Sequence, residues 1–374
     1  MAHCHVESVV KIQQDMNVIV KRLSRDEMLQ ANRLYNASNT HERTATQFQW
    51  EFYNAPAGEA IYVAAVDIDK PLGEQVIGTQ CAIPIHFIDS EGRKILTAKS
   101  EDTFLDPAYR GQKLFDKMYA LLFEECKKEG VHFIWGFTYA EKPFEKVSFE
   151  IPFHAHQVVL VTKPLKAYQY LSSLNSSNNW KEKVKIAGLC VVSYLKQSIH
   201  FASHSNTINF SNTLLNKNEL IKPLLQSIFK TSISQDEAYT NWRFIQNPFN
   251  NNYKEITFTN PSGKTIFNLT CNIRPEGFAY IEQFLFDSSV SDNEATSLLK
   301  QAINLIKQEP ISVIRFWGFT HHPYLKHEIE LLEKAGFFYV KKGIGFVWKD
   351  MKTFSHNLNP KAIYVSRTFT QGDS

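Results

Sequence analysis

An internal repeat constrains the architecture of this chain more than any other feature of its sequence. The segment Phe133-Ile-Trp-Gly-Phe-Thr138 returns as Arg315-Phe-Trp-Gly-Phe-Thr320, with an identical Trp-Gly-Phe-Thr tetrad. A second pair occurs in the same order, since Gln49-Trp-Glu-Phe-Tyr-Asn-Ala-Pro56 returns as Asn241-Trp-Arg-Phe-Ile-Gln-Asn-Pro248. Tandem copies of one domain explain two matched landmarks in the same order better than chance does.

The hydrophobic pattern predicts a similar succession of elements in both copies. In the first copy it predicts strands at 17–22, 61–68, 76–88, 93–105, 131–138 and 156–162, and helices at 24–36, 44–53, 111–128 and 142–147. In the second it predicts strands at 253–259, 265–273, 278–286 and 312–319, and a helix at 292–306. The helix between strands 93–105 and 131–138 is a crossover, so these two strands should be parallel. The expected fold class is α/β (α+β), with a mixed, mostly antiparallel sheet flanked by helices in each copy.

We expect three parts in the chain. These are an N-terminal domain at 1–165, a helical connector at 166–234 and a C-terminal domain at 235–374. The connector has helical patterns at 168–174, 180–201 and 220–229 and is rich in Ser and Asn between them. Four lysines around its apolar helix could mark a membrane-surface helix. A helix packed on a domain is preferred, because no large basic block accompanies these lysines, which are Lys181, Lys183, Lys185 and Lys196.

Composition excludes several classes of protein. A chain of 374 residues with 43% hydrophobic residues can bury two ordinary cores. The formal charge of +3 gives no case for a nucleic-acid partner. Five widely separated cysteines argue against a disulfide framework and favour the reducing cytoplasm. The longest apolar run, at 186–195, is too short to span a bilayer, so no integral membrane segment is expected.

The turn after strand 93–105 is a candidate anion site. It contains Pro107-Ala-Tyr-Arg-Gly111 and leads into a helix that should begin near Gly111. Unpaired N–H groups at a helix N-terminus favour an anion, and Arg110 and Lys113 add positive charge there. A simple strand-to-helix turn with an incidental basic pair is the alternative. The second copy has Asp287-Ser-Ser-Val-Ser-Asp-Asn-Glu294 at this place, where three acids would repel a pyrophosphate.

A strand followed by Arg-Gly-x-x-Leu-Phe and a helix resembles the acyl-CoA pyrophosphate loop of GNAT-type N-acetyltransferases, whose pattern is Arg/Gln-x-x-Gly-x-Gly/Ala. Lys113 stands where the family has glycine, and Phe115 where it has a small residue. The element order of residues 15–165 is also that of a GNAT domain. A duplicated chain with one such loop resembles the tandem N-acyltransferases of bacteria.

The resemblance implies a function and a set of site residues. The donor would be acetyl-CoA or another acyl-CoA, without a metal, and the acceptor an amine of a small metabolite, an amino sugar or a protein. Strands 93–105 and 131–138, on either side of the helix that follows this loop, should diverge at their C-terminal ends. The family takes its base from the strand before the loop and its acid from a tyrosine after the next strand. The candidate catalytic residues are Glu101, Asp102 and Tyr139, with Tyr109 as a second phenol, and the candidate cofactor-binding residues are Phe104, Leu105, Arg110, Gly111, Gln112, Lys113, Leu114 and Phe115.

Two other functions stay open. A Fem-type aminoacyl transferase also pairs two GNAT-like domains, but it takes its donor from tRNA, which a charge of +3 suits poorly. A catalytically silent binding protein is the other, and Lys113 is the best argument for it. Metal sites are not expected, because His321 and His322 are adjacent and the alternating His154 and His156 lack a nearby third ligand. The oligomeric state is not indicated.

Overall fold

The structure is a computed structural model that describes residues 17–39, 42–173, 180–196, 207–211, 217–249, 251–352 and 358–370. The first copy contains β1 (Val18–Arg22), α1 (Arg25–Ser38), α2 (Ala45–Phe52), β2 (Ile61–Asp67), β3 (Val76–Asp89), β4 (Lys94–Leu105), α3 (Leu114–Lys128), β5 (Phe133–Thr138), α4 (Glu141–Lys146) and β6 (Glu150–Val161). The connector contains α5 (Pro164–Ser173), α6 (Trp180–Lys196), β7 (Thr207–Ser211), α7 (Asn218–Ser227) and β8 (Thr231–Ile233).

The second copy repeats this order with fewer residues. It contains α8 (Glu237–Thr240), a π-helical turn (Asn241–Ile245), β9 (Tyr253–Thr259), β10 (Thr265–Arg274), β11 (Phe278–Phe286), α9 (Asp292–Ile306), β12 (Val313–Phe319), α10 (Pro323–Lys334) and β13 (Phe338–Asp350). Short 3-10 turns at Pro107–Tyr109, Pro360–Ala362 and Arg367–Phe369 complete the described chain. The predicted elements are present, most with ends within about four residues of those predicted, but β6 begins at Glu150, well before the predicted start at 156. Residues 174 and 197–201 of the predicted connector helices lie outside the described residues.

Local sequence signals explain where the first helices begin. Ser24 and Glu27 form a capping box, in which the Ser24 N–H donates to the Glu27 carboxylate at 2.9 Å. Thr44 and Gln47 form a second box, with the Gln47 N–H donating to the Thr44 hydroxyl at 3.2 Å. Each box satisfies N–H groups that the first turn leaves without helical partners.

One continuous mixed sheet joins both copies. Its strand order is β1-β2-β3-β4-β5-β13-β6-β12-β11-β10-β9-β7, and β8 pairs with β3. Among the described strands, β4 with β5 and β11 with β12 are the parallel neighbours, as the helical crossovers predict. The architecture therefore agrees with the expected fold class, in a form where the two copies share a sheet.

The two copies exchange their last strands. β13, from the second copy, lies between β5 and β6, and its Trp348 is opposite Trp135. β6, from the first copy, pairs with β12, and its Gln157 is opposite Trp317. The sequence predicted strand 156–162 as the last element of the first copy, but its position beside β12 did not follow from the local pattern. Each half of the sheet is thus completed by a strand of the other copy.

The repeated tryptophans form the junction between the copies. Trp50 and Trp242 are both buried, and their rings stack with centroids 5.0 Å apart. Each indole N–H donates to the backbone carbonyl of the other residue, at 2.8 and 2.9 Å. Trp317 contacts Phe137 of the other tetrad, with centroids 5.0 Å apart. The prediction that Trp242 and Trp317 are core or domain-contact anchors is confirmed.

The sheet has different neighbours on its two faces near β4 and β5. On one face, Ala98 and Ile134 pack in a cluster with residues of α3. On the other face, Trp135 packs in a cluster with Phe48 and Phe52 of α2. A group lying between β4 and β5 can therefore be approached from the α3 face or from the α2 face.

Helix α6 packs against the sheet, as preferred from its sequence. Cys190 is buried, and the Ser193 hydroxyl accepts a hydrogen bond from the Val161 N–H at 3.0 Å. The opposite side of α6 exposes Val184, Val191 and Leu195. In the part of the chain that the structure describes, no helix is long and apolar enough to cross a membrane.

Candidate active site

The parallel strands β4 and β5 diverge toward their C-terminal ends. Their register covers Ala98 with Ile134 and Lys99 with Trp135. Beyond these pairs, β5 continues beside β13 and β4 continues beside β3. The predicted divergence is confirmed. The edge of β4 that carries Phe104 and Leu105 faces a gap in which no described strand is its partner.

A bulge in β4 produces this divergence. The register with β3 shifts between Thr79 and Cys81, and Asp102 has a φ of 51°, in the left-handed region. The Thr79 hydroxyl donates to the Asp102 carbonyl at 2.8 Å. The Asp102 carboxylate accepts hydrogen bonds from Arg43 (Nη2 to Oδ2, 2.9 Å) and from the Tyr62 hydroxyl. Because its side chain is 5% exposed and fully engaged, Asp102 stabilises the bulge rather than facing an acceptor.

The turn after β4 has backbone conformations that would let a ligand approach its main chain closely. A 3-10 turn at Pro107–Tyr109 is capped by Asp106, whose carboxylate accepts the Ala108 N–H at 2.9 Å. Gly111 then has a φ of 84°, and Lys113 has φ 59° and ψ 21°. Both are left-handed conformations, which glycine adopts at no steric cost and lysine does not. Lys113, which stands where the GNAT sequence pattern has glycine, thus adopts a backbone conformation that glycine favours.

The N-terminus of α3 is open to an anion. Its N-cap residue, Lys113, makes no side-chain cap, and Arg110 and Lys113 are both exposed. The first N–H groups of a helix carry a partial positive charge, and two cations beside them strengthen it. Leu114 is buried and anchors the helix start, so the N–H groups are held in place.

The structure separates the sequence-predicted site residues into groups. Arg110 to Lys113 form the turn, and Leu114 and Phe115 begin α3. Phe104 and Leu105 lie at the end of β4, beyond its pairing with β5. Glu101 forms an ion pair with Lys99 and keeps 34% of its side chain exposed. Tyr139 follows β5 directly and is 76% exposed.

Sequence reasoning missed an acidic residue beside the gap. Glu51 of α2 lies 3.4 Å from Arg43 (Oε2 to Nη1), and the same guanidinium binds Asp102 of β4. Burial raises the pKa of Glu51 to about 7, although Arg43 opposes this shift. The repeat contained a signal for this residue, because its counterpart beside the second tryptophan is Arg243, of opposite charge.

The corresponding turn of the second copy is closed. The Ser291 hydroxyl accepts the Glu294 N–H at 3.4 Å and so caps α9, whose first turn also contains Asp292. Asp287 is ion-paired with Lys264 at 2.6 Å, and this hydrogen bond lowers the pKa of Asp287 to about 2. A capped helix start with ionised carboxylates disfavours a phosphate.

The end of the parallel pair β11 and β12 is packed by other side chains. Their register ends at Ile281 with Phe316. A Cβ added to Gly318 would lie 2.8 Å from side-chain atoms of Ile329, so α10 packs directly on this strand. Glu282, which follows the last paired residue, is buried with Arg367 (2.8 Å) and Arg243 (3.7 Å).

Comparisons with known proteins agree with this geometry. Residues 19–151 match the family described as acetyltransferase (GNAT) domain. A search of curated proteins gave no match. Across the described ranges, no group of three or more His, Cys, Asp or Glu side chains is placed to hold a metal ion.

Solved structures resemble nearly the whole chain. A probable N-acyltransferase from Enterococcus faecalis V583 is 12% identical, with 90% of this chain and 73% of that chain covered and a TM-score of 0.59. Saccharomyces cerevisiae N-myristoyltransferase with bound myristoyl-CoA is 11% identical, with coverages of 92% and 81% and a TM-score of 0.54. A tandem GNAT protein from the clavulanic acid biosynthesis pathway is 9% identical, with coverages of 89% and 98% and a TM-score of 0.54.

Residues 19–151 therefore match a GNAT domain, as the resemblance inferred from Arg110 to Phe115 implies, and nearly the whole chain has the fold of solved GNAT structures. The two joined copies of this chain resemble the fold of the tandem GNAT protein.

Proposed function

We propose that this protein transfers an acyl group from acyl-CoA, most simply acetyl-CoA, to a primary amine. The observation that carries the proposal is the open turn at the start of α3, directly after the strand that diverges from β5. In this position a bound pyrophosphate and a thioester in the gap can belong to one extended ligand. The cytoplasmic location stays a prediction, and so does the acceptor class, an amine of a small metabolite, an amino sugar or a protein.

Each part of the turn has a role in this proposal. The N–H groups from Gly111 to Phe115 would bind the pyrophosphate oxygens, while Arg110 and Lys113 supply charge. The free backbone edge at Phe104 and Leu105 would bind the pantetheine arm and donate to the thioester carbonyl. Gln112 lies within the same turn, and its backbone N–H would also bind the pyrophosphate.

The reaction needs two proton transfers. The amine nitrogen forms a bond to the carbonyl carbon and loses one proton to a base. The carbon–sulfur bond then breaks, and the thiolate leaves and gains a proton. From the family pattern, Glu101 is the expected base and Tyr139 the expected acid. Because Tyr139 is exposed, its role as the acid requires that the bound ligand covers its side chain.

The second copy is proposed to shape the acceptor side without binding a second acyl-CoA. Its turn is capped by Ser291 and carries Asp292 and Glu294. Its tryptophan anchors hold it against the first copy, so it can support the site without chemistry of its own.

Isothermal titration calorimetry tests the donor site. We expect one acetyl-CoA per chain and no detectable binding to Gly111→Val, because a β-branched residue is strained at a φ of 84°. Gly263→Val is the matched control, since Gly263 has a φ of 81° in an equally open turn of the second copy. Two bound molecules per chain, or equal binding by both variants, would contradict the proposed site.

An acceptor screen tests the reaction. Purified protein, acetyl-CoA and a panel of amino sugars, small amines and peptides are incubated, and the released CoA thiol is measured. A rise in free thiol that requires both an amine and Gly111 supports transfer. Binding without any transfer across the panel would favour the silent scaffold.

A further inference from the structure

The α2 face of the gap carries a cluster of charged groups that the proposed donor site does not use. Arg43 joins Glu51 of α2 to Asp102 of β4, at 3.4 and 2.9 Å. Lys99 and Glu101 form a second ion pair on β4 beside it. Lys99 is the last residue of β4 that pairs with β5, so Glu101 and Asp102 lie on the diverging part of the strand and Arg43 links Glu51 to it.

The position of the donor defines the side from which an amine must come. If the acyl-CoA binds at the start of α3, it occupies the α3 face of the gap. The nucleophile then approaches the carbonyl from the face where Trp135 packs with α2 residues. Glu51 is the α2 carboxylate on this side, and its side chain is 12% exposed.

Among the carboxylates of this cluster, Glu51 is the least committed. Asp102 accepts hydrogen bonds from Arg43 and Tyr62 and supports the bulge. Glu101 is held by the buried Lys99. The ion pair of Glu51 with Arg43 is longer, at 3.4 Å. A base must be free to gain a proton, which a tightly paired carboxylate is not.

We propose that Glu51 is the proton acceptor for the attacking amine, directly or through one water. As the carbon–nitrogen bond forms, the nitrogen loses a proton to the Glu51 carboxylate, and the thiolate leaves when the carbon–sulfur bond breaks. The proton then passes from Glu51 to solvent. This inference rests on the proposed function and replaces Glu101 in the role of base.

The pKa of Glu51, raised to about 7 chiefly by burial, suits a base that works near neutral pH. The charged and titratable groups that act on it or respond to it come from α1, the α1–α2 connection and strands β3 and β4. They are Tyr35, Arg43, Cys81, Lys99, Glu101 and Asp102.

The second copy provides an independent contrast. Arg243 replaces Glu51 after the matched tryptophan, and its guanidinium is fully buried beside Glu282. In the second copy, Ile281 is the last residue of β11 paired with β12, and Glu282 follows it. By this register, Glu282 corresponds to Lys99 of the first copy, which is paired with Trp135. The copy with the closed turn therefore also lacks a carboxylate at the position of Glu51.

The test is the pH dependence of kcat at saturating amine and acetyl-CoA. Wild-type kcat should rise with an apparent pKa near 7, and Glu51→Gln should lose this rise together with about 100-fold or more of kcat. Glu51→Asp should retain part of the activity. The affinity for acetyl-CoA should change less than twofold in both variants, which separates a chemical role from misfolding.

Two controls make the outcome decisive. Glu74→Gln removes an exposed carboxylate of the same copy and should leave kcat and its pH profile unchanged. Glu101→Gln tests the rival base. If Glu101→Gln loses the rise near pH 7 while Glu51→Gln keeps it, the inference is wrong although the proposed function stands. A wild-type protein that does not bind acetyl-CoA would overturn both.

Discussion

The two copies of the repeat differ most at the turn that precedes their long helix. In the first copy, Gly111 and a left-handed Lys113 leave the start of α3 open and positively charged. In the second, Ser291 caps α9 and acids fill its first turn. The comparison shows that the same order of strand, turn and helix can have either a positively or a negatively charged helix start. A few side chains at one turn are enough to choose between an anion site and a self-satisfied helix.

A second difference lies at the end of the parallel strands. The first copy has a gap beside β4, with Glu51 and Arg43 on its α2 face. In the second copy, α10 packs against Gly318, and Glu282 is buried between two arginines. The first copy thus keeps a carboxylate, Glu51, after its repeated tryptophan, whereas the second copy has an arginine at that position and buries it beside Glu282.

The largest effect should come from removing the contact that joins the copies. Trp242→Ala should lower the free energy of unfolding by about 3–5 kcal/mol, because a buried indole and the hydrogen bond from its N–H to the Trp50 carbonyl are lost. Trp50→Ala should cost a similar amount. The double variant should cost less than the sum, since each substitution already removes the shared stack. Chemical denaturation followed by circular dichroism measures all three, and strict additivity would contradict a shared anchor.

The next effect is a pH-dependent gain in stability on neutralising Glu51. The pKa of Glu51 in the folded state, about 7, lies above the ordinary value of 4.5 for a glutamate, so the folded state binds this proton more tightly than the unfolded state. Wild-type stability from this group is therefore present below pH 4.5 and is lost as pH rises through 7. Glu51→Gln should exceed wild type by about 1–3 kcal/mol at pH 8.

The measurement for this prediction is the melting temperature at several pH values. Wild type and Glu51→Gln should converge near pH 4.5, where both side chains are neutral. An equal difference at pH 5 and pH 8 would show that the effect comes from packing and not from the charge of Glu51.

A smaller effect should follow from reopening the helix start of the second copy. Ser291→Ala removes the hydroxyl that caps α9 and should cost about 1 kcal/mol of stability. Acetyl-CoA should still bind once per chain, because Asp292 and Glu294 remain. Thermal unfolding and calorimetry test both parts. A second bound molecule in this variant would mean that the cap alone closes the turn.

The smallest effect concerns the residue that departs from the family pattern. Lys113→Gly relieves a left-handed lysine and should raise stability by about 0.5–1 kcal/mol. Acetyl-CoA binding should persist with a weaker salt dependence, because one charge near the pyrophosphate is lost. Titrations at low and high salt test this. A complete loss of binding would make Lys113 an essential ligand instead of a tolerated substitution.

Much of the fold could be predicted from the sequence because its signals are local. The periodic apolar residues of α3 and the capping residues Ser24 and Thr44 act within one or two helical turns. The matched tryptophans marked the repeat, and Arg110 and Gly111 marked the turn. Each of these features is recorded in neighbouring residues, so no knowledge of distant contacts was needed.

The rest depended on contacts between residues far apart in sequence. β6 and β13 bury side chains on both faces, and such strands give no local indication of their neighbours. The role of Asp102 depends on Arg43, 59 residues away, and the raised pKa of Glu51 depends on its burial. Only the change from Glu51 to Arg243 within the repeat could have indicated a site on α2.

Because β6 and β13 are exchanged, the sheet of the first copy cannot be completed until most of the chain has been synthesised. β5 and β6 leave the ribosome well before β13, which begins roughly 200 residues after β5 ends. At typical rates of translation this interval lasts about 10–40 s. During that time β5 and β6 lack the strand that finally lies between them, and their edges are available to other chains. A chaperone would therefore protect this protein most during the interval in which the first half has been synthesised and β13 has not.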